Sequence, residues 1–450
     1  MRKYFGTDGI RGVANTELTP ELAFKVAKAS AIVLGKNKKE ALEILIGKDT
    51  RISGGLIESA MVTGFLSSGA NVSLLSVIPT PGVAYLTKKN KADAGIVISA
   101  SHNPYEFNGI KYFSNLGMKI SDAIEEEIES VMESGEFNVV SHEKIGICKN
   151  METEIQEYVQ LFEDTFKNNL KVNDDFIVGI DASNGATSDV VEDIFKKLNI
   201  KYKIIYNTPN GVNINKDCGS TYLDKLKDFV INNNLSLGVA FDGDGDRCLA
   251  VDEKGNIVTG DEILAVISLY LKEKGKLKDN TLVATVMSNL GLSKFAVENG
   301  INLIQSKVGD RYVLEDMLKG GYTLGGEESG HVIELDYNPT GDGMFTALSI
   351  IQVMLEKNKT LSELTSVISI YPQVLINAKV ENTKKNDYDK DEVITRAIKE
   401  LEEEFSGNGR VLIRPSGTEP KVRVMIEGED KDYITTKAKQ IADLIEARLK

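Results

Sequence analysis

LGVAFDGDGDRCLAV, residues 237–251, places a three-aspartate loop between two apolar runs. Leu237–Phe241 has the length and composition of a strand buried on both faces. Cys248–Val251 reads as a second strand. Between them Asp242, Asp244 and Asp246 alternate with Gly243 and Gly245. In an extended segment, residues i, i+2 and i+4 project to one side. The three carboxylates then converge, and the glycines let the loop curve around an ion. Hard oxygen ligands suit Mg²⁺, with a phosphate completing the shell. Arg247 beside three acids makes sense if it faces an anion. An EF-hand calcium loop is a second reading, since Glu253 falls at its twelfth position. Its sixth position, however, is Arg247 instead of glycine, and a strand, not a helix, precedes it. A bare acidic turn is the third.

The same pattern of apolar run, small polar loop and helix recurs outward along the chain. Glu43–Gly47 precedes Lys48-Asp49-Thr50-Arg51, and Ala94–Ile98 precedes Ser99-Ala100-Ser101-His102-Asn103. Phe176–Ile180 leads to Asp181-Ala182-Ser183-Asn184, and Thr281–Val286 to Ser288-Asn289. Such alternation predicts mostly parallel sheets covered by helices, with ligands beyond the carboxyl ends of the strands. Thr19-Pro20-Glu21 predicts a capped helix start, with Leu22, Val26, Ala29 and Val33 buried and Gly35 as its stop. Ser121–Glu136 reads as an exposed charged helix and Glu152–Phe166 as a linking helix. Near the end, Val374–Val380, Val411–Arg414 and Val422–Glu427 read as strands flanked by helices over 389–404 and 431–449, an α+β arrangement. The expected organisation is three α/β domains with mixed, mostly parallel sheets plus a C-terminal α+β domain. The boundaries are 1–150, 151–254, 255–371 and 372–450.

The totals agree with a globular chain. It has 450 residues, 42% hydrophobic and 27% charged, with formal net charge −14. That balance speaks against nucleic acid as the main partner. The three cysteines, Cys148, Cys218 and Cys248, are widely spaced with no CxxC, so reduced thiols and a cytoplasmic location are expected. The first residues show no signal-peptide pattern, and no stretch has the length of a membrane span.

Four further loops carry reactive side chains. ISASHNP (98–104) sets Ser101 and His102 at a strand end, and Lys111 follows nearby. A helix-capping serine and a hydrolase nucleophile are the rival readings of Ser101, the latter without a G-x-S-x-G elbow. A partly buried Lys111 can act as acid or base. GGEESGH (325–331) presents Glu327, Ser329 and His331 among glycines, as sugar hydroxyls require, after Lys307, Asp310 and Arg311. Arg414, Ser416, Gly417 and Thr418, followed by Arg423, suit a phosphate. GTDGIRG (6–12) adds Arg11. Each of these can also be a plain polar turn.

Together the loops resemble the α-D-phosphohexomutase family along the whole chain, through SASHNP (99–104), GIK (109–111), DGDGDR (242–247), GEESGH (326–331) and RPSGTEP (414–420), in that order. KYFGTDGIRGVAN (3–15), NINKDCG (213–219), VGDRY (308–312) and Arg414–Gly428 resemble its amino-sugar branch. One departure is Glu328, where that branch usually has Gln. The resemblance implies four domains around a central cleft, each giving one loop. It implies a mutase that moves phosphate between O6 and O1 of glucosamine through a 1,6-bisphosphate, feeding UDP-N-acetylglucosamine and cell-wall synthesis. By the same resemblance Ser101 is phosphorylated and, with Asp242, Asp244 and Asp246, holds one Mg²⁺. Lys111 moves protons, with Arg11 and His102 in support. Arg247, Lys307, Asp310, Arg311, Glu327, Ser329 and His331 bind the sugar phosphate, and Arg414, Ser416, Gly417, Thr418 and Arg423 hold the non-reacting phosphate. The expected partner is a small phosphosugar, with no nucleic acid and no membrane. A homodimer is one allowed assembly. Phosphomannomutase or phosphoglucomutase activity, phosphatase action on the phosphoserine, and non-catalytic sugar-phosphate binding are the rival functions.

Overall fold

The apolar runs form strands because five consecutive buried residues rich in Val, Ile and Leu fit a pleat covered on both faces. In the computed structural model, which describes residues 3–6, 8–137, 139–416 and 419–450, they fall in four sheets among the described residues. The first holds β1 (Phe5–Gly6), β2 (Gly9–Val13), β3 (Glu43–Lys48), β4 (Asn71–Val77), β5 (Ala94–Ile98), β6 (Phe107–Ser114) and β7 (Cys148–Asn150), in the order β1-β2-β6-β5-β3-β4-β7. β3, β4, β5 and β7 pair in parallel, while β1, β2 and β6 make antiparallel pairs. The second holds β8 (Ile177–Asp181), β9 (Lys201–Ile205), β10 (Leu237–Phe241), β11 (Cys248–Asp252) and β12 (Ile257–Val258), in the order β12-β11-β10-β8-β9. The third holds β13 (Thr281–Thr285), β14 (Asn302–Ser306), β15 (Leu324–Gly326) and β16 (Val332–Glu334), in the order β14-β13-β15-β16. Both sheets are parallel at β8, β9 and β10 and at β13, β14 and β15, with antiparallel strands on one edge. The fourth, β17 (Gln373–Lys379), β18 (Gly409–Pro415) and β19 (Lys421–Gly428), is antiparallel in the order β17-β19-β18.

Contacts gather the chain into two units. One is Met1–Met287 with Ile301–Val367, and the other is Ser288–Gly300 with Ile368–Lys450. The helix after β13, Leu290–Glu298, therefore belongs with the C-terminal sheet. There Asn289 caps it and also bonds both backbone groups of Tyr371.

Helix starts follow their capping residues. Thr19 accepts from Leu22 N at the head of Pro20–Gly35, where Val26, Ala29 and Val33 are buried and Leu22 is half-buried. Thr259 and Glu262 form a reciprocal capping box at the head of Gly260–Glu273. The helix expected to be exposed, Asp122–Ser134, instead buries Glu125, Ile128, Glu129 and Met132. Its apolar residues face the first core, and Glu129 accepts the backbone amides of Lys3, Tyr4 and Phe5 at 2.6–2.7 Å. Charge in the sequence thus marks an anchor for the N-terminal strand.

Candidate functional site

β5 ends at Ile98 and the chain turns back at once. Ser101 adopts a left-handed backbone conformation, φ +52°, which is uncommon for a residue with a Cβ. The turn buries the side chain and aims Oγ at the acid loop, where it donates to Asp242 Oδ2 at 2.6 Å. The hydroxyl is therefore bonded to the acid loop. His102 Nδ1 lies 3.3 Å from the same Oγ. Burial, then Arg247 and Arg11, depress the imidazole pKa to about 4, so His102 is neutral at pH 7.

The aspartates converge through a tight turn between β10 and β11, not through an extended arc. One oxygen from each of Asp242, Asp244 and Asp246 lies within 4.8 Å of the other two. Asp244 Oδ1 and Asp246 Oδ1 are buried with no hydrogen-bond partner. Buried polar atoms are rarely left so. Three clustered carboxylates, two of which carry a buried unpartnered oxygen, fit a divalent cation. Burial, then Asp246 and Asp244, raise the Asp242 pKa well above the usual range. For Asp246 burial acts the same way, but Lys111 and other cations outweigh it and hold the carboxyl low.

Lys111 comes from β6 and is buried at the centre of this wall. Its Nζ is 2.8 Å from Asp244, 3.2 Å from Asp8 and 3.6 Å from Asp246. Burial opposes its charge, yet the three carboxylates overcome it and hold the ammonium firmly protonated. Thr80 also grips Asp244, by Oγ1 to Oδ2 at 2.6 Å and by its amide to the backbone oxygen at 2.8 Å. Cys248, next after Arg247, is buried, and burial and then Asp242 push its thiol pKa up.

A cavity of about 360 Å³ opens beside the wall. Arg11, Arg247, Asp310, Glu327, Ser329 and His331 line it, as do Asp8 and Lys119. GEESGH forms the turn between β15 and β16. Glu327 accepts Gly309 N at 3.2 Å, and Ser329 Oγ is buried without a partner. Gly341 N donates to His331 Nε2 at 3.0 Å, which leaves the ring proton on Nδ1, 3.7 Å from Asp246. Two residues read as substrate ligands lie outside this lining. Lys307 is exposed, over the Tyr312 ring at 5.8 Å. Arg311 bonds Ile120 O at 2.9 Å and Glu125 at 3.1 Å, and pairs with Asp122. Its guanidinium clamps the head of helix Asp122–Ser134.

Asp8, Lys119 and Thr80 escaped sequence reading. Asp8 stands in the GTDGIRG loop and pairs with Arg11, Lys111 and Lys119. Burial opposes its charge, but these cations hold the carboxyl well below its usual range. Lys119 bridges Asp8 at 2.5 Å and Asp310 at 2.6 Å, and no motif surrounds it.

In the C-terminal unit Arg414 and Arg423 are direct cross-strand partners on β18 and β19. Burial, then Arg423, lower the Arg414 pKa. Ser416 is buried, and its Oγ accepts Glu419 N at 3.2 Å. Gly417 and Thr418 lie outside the described residues.

Models of the phosphoglucomutase/phosphomannomutase family match four successive stretches: α/β/α domain I over residues 2–139, domain II over 156–255, domain III over 259–371 and the C-terminal domain over 375–444. The chain is 53% identical to the phosphoglucosamine mutase of Acetivibrio thermocellus and 51% to that of Clostridium acetobutylicum, over the full length of both partners in each case. Among solved structures, a phosphoglucomutase/phosphomannomutase family protein from Burkholderia thailandensis matches with TM-score 0.83 at 21% identity, covering 99% of this chain and 97% of that one. An Aspergillus fumigatus N-acetylphosphoglucosamine mutase, solved with GlcNAc-6P and magnesium, matches with TM-score 0.69 at 15% identity, covering 100% and 96%. By the matches along its length, this chain belongs to the phosphoglucomutase/phosphomannomutase family.

Proposed function

We infer that this chain interconverts glucosamine 6-phosphate and glucosamine 1-phosphate, with Ser101 as phosphoryl carrier. The observation that supports this most is the hydroxyl of Ser101, 2.6 Å from Asp242 on a wall of clustered carboxylates with unpartnered oxygens. The full-length relatives above half identity, named for this activity, support the choice of sugar.

In this reading phosphoserine 101 gives its phosphoryl group to O1 of glucosamine 6-phosphate. The Oγ–P bond breaks as the O1–P bond forms, the O1 hydroxyl gives up its proton to a basic group of the site while Ser101 Oγ takes one up, and the product is the 1,6-bisphosphate. The intermediate turns around, its 6-phosphoryl returns to Ser101, and glucosamine 1-phosphate leaves. Phosphoryl transfer depends on positioning and charge neutralisation more than on covalent chemistry by side chains. Mg²⁺ is the expected ion, held by Asp242, Asp244, Asp246 and a phosphate oxygen on Ser101, and when bound it offsets charge on the transferring group. Lys111, held protonated by its carboxylates, starts as the proton donor, with Arg11 and neutral His102 beside it. Arg247 faces the anion, and Glu327, Ser329 and His331 meet the sugar hydroxyls. Arg414, Ser416, Gly417, Thr418 and Arg423 take the phosphate that is not reacting. Free thiols at all three cysteines fit a reducing cytoplasm.

The test offers purified enzyme the 6-phosphates of glucosamine, glucose and mannose, and follows products and inorganic phosphate. Glucosamine phosphate should isomerise fastest with no phosphate released. Faster turnover of mannose phosphate would overturn the sugar assignment, and net release of phosphate would overturn the mutase.

A further inference from the structure

Arg51 follows β3 and its side chain is fully buried. Its five N–H groups are all committed. Nε donates to Asp49 Oδ2 at 2.8 Å. One terminal nitrogen donates to Pro104 O at 2.5 Å and Phe107 O at 3.0 Å. The other donates to Ser101 O at 2.9 Å and Asn103 O at 2.8 Å. Those last two carbonyls accept again from Asn215 Nδ2, at 2.8 and 3.1 Å. Two side chains 164 positions apart in sequence therefore meet on one peptide turn, the turn that carries Ser101. Asp49 completes the hold by accepting Ser99 Oγ at 2.6 Å, and that Oγ accepts the amide of Ser101 at 2.9 Å.

We propose that Arg51 and Asn215 are positioning residues for the phosphoryl carrier. They hold Ser101 in its left-handed conformation and so aim Oγ at the acid loop. This rests on the phosphoserine reading above. Neither residue touches reacting atoms. With every guanidinium hydrogen committed, Arg51 has none left for a phosphate. Both hold backbone carbonyls and leave Oγ alone. The hold is thus independent of what Ser101 carries, which a carrier that alternates between hydroxyl and phosphate ester requires. A local alternative, capping by a neighbouring side chain onto Oγ, would be lost at each transfer.

The glycine of the acid loop belongs to the same device. A Cβ on Gly243 would lie 2.7 Å from both Asn215 Nδ2 and Ser101 O. Bare backbone alone passes there, so the aspartate loop sits directly on the clamped carbonyl. Displacement of the clamp would shift the carrier relative to the carboxylates, and misplacement of about 1 Å costs on the order of a hundredfold in rate.

The test uses full-length enzyme phosphorylated on Ser101 and two variants. Asn215→Ala removes two donors from carbonyls that Arg51 still serves. Arg51→Lys keeps the charge beside Asp49 but lacks the planar fork. In Asn215→Ala we expect kcat to fall roughly tenfold to a hundredfold, with KM within about twofold and an unchanged thermal midpoint. The Ser101 amide should exchange with solvent faster than in wild type while strand amides do not. Arg51→Lys should lower kcat further. Wild-type kcat, or an unaltered rate of exchange at Ser101, would overturn the proposal, and so would a loss carried by KM or by the thermal midpoint. If wild type itself fails to isomerise any hexose phosphate, the mutase reading falls and the exchange result alone decides the clamp.

Discussion

Lys111 and Arg414 are both cations drawn away from water, but their surroundings are opposite. Lys111 has Asp8, Asp244 and Asp246 around its ammonium. Arg414 has Arg423 as its cross-strand partner, and neither arginine makes an ion pair among the described residues. The first region is neutralised from within, so its geometry stands before any ligand arrives. The second sets two like charges side by side, a repulsion that a bound anion would relieve. In the proposed reading, chemistry that needs fixed geometry and binding that needs an attractive field are thus built on different charge patterns.

The comparison can be broken most severely at the carrier. Ser101→Ala should lose at least about a thousandfold in turnover, because the oxygen that accepts and donates the phosphoryl group is gone. Intact mass should show one phosphate on part of the wild-type protein and none on the variant. Activity within about tenfold of wild type would exclude Ser101 as carrier. Next is Asp244→Asn. It keeps an acceptor for Thr80 but removes one of the three carboxylate charges that hold Lys111, and with it one proposed ligand for the cation. We expect about a hundredfold loss at limiting Mg²⁺, partly recovered as Mg²⁺ is raised. A magnesium titration unchanged from wild type would put the cation elsewhere. This carboxylate is fully buried, so a lower thermal midpoint should accompany the loss.

The arginine pair should respond differently. Arg414→Ala should weaken substrate binding by about 1.5–3 kcal/mol, roughly ten- to a hundredfold in KM. More bisphosphate should escape during turnover, read as free intermediate and as stimulation when it is added back. Unchanged KM and unchanged leakage would make β18 and β19 a structural hairpin. Salt gives the mildest test. Raising ionic strength toward 0.3 M should increase wild-type KM by about threefold through screening of the half-buried arginine pair. That rise should shrink in Arg414→Ala, while kcat, set by the buried wall, stays level in both.

The strands and their loops were legible because apolar runs and glycine-flanked acids are local patterns. Leu237–Phe241 and Cys248–Asp252 bracket the aspartates as read, although a turn and not an extended arc brings them together. What was illegible is long-range. Lys111 meets Asp244 across 133 positions, and Lys119 meets Asp310 from a stretch without any motif. Arg311 shows the converse. It stands in a charged stretch, at the first turn of helix Asp310–Gly320, that suits a phosphate, yet Ile120 O, Asp122 and Glu125 occupy its guanidinium. Residue type and spacing state what a side chain can bind. Which partner reaches it first is decided by the fold. Likewise Arg51 and Asn215 carried no chemical signature, since a clamp on carbonyls uses the backbone, which every sequence shares.

Cys248 has a consequence for which ions the acid loop admits. A thiol two residues from Asp246 would, if ionised, be a soft donor inviting zinc or copper into a site meant for a hard ion. Burial and the field of Asp242 keep it protonated. Burial, aided by Asp242, therefore also silences the sulfur beside the acid loop, and the same protonation spares it from oxidants. In the folded protein an alkylating reagent should label the exposed Cys148 and leave Cys248 and Cys218 untouched until unfolding.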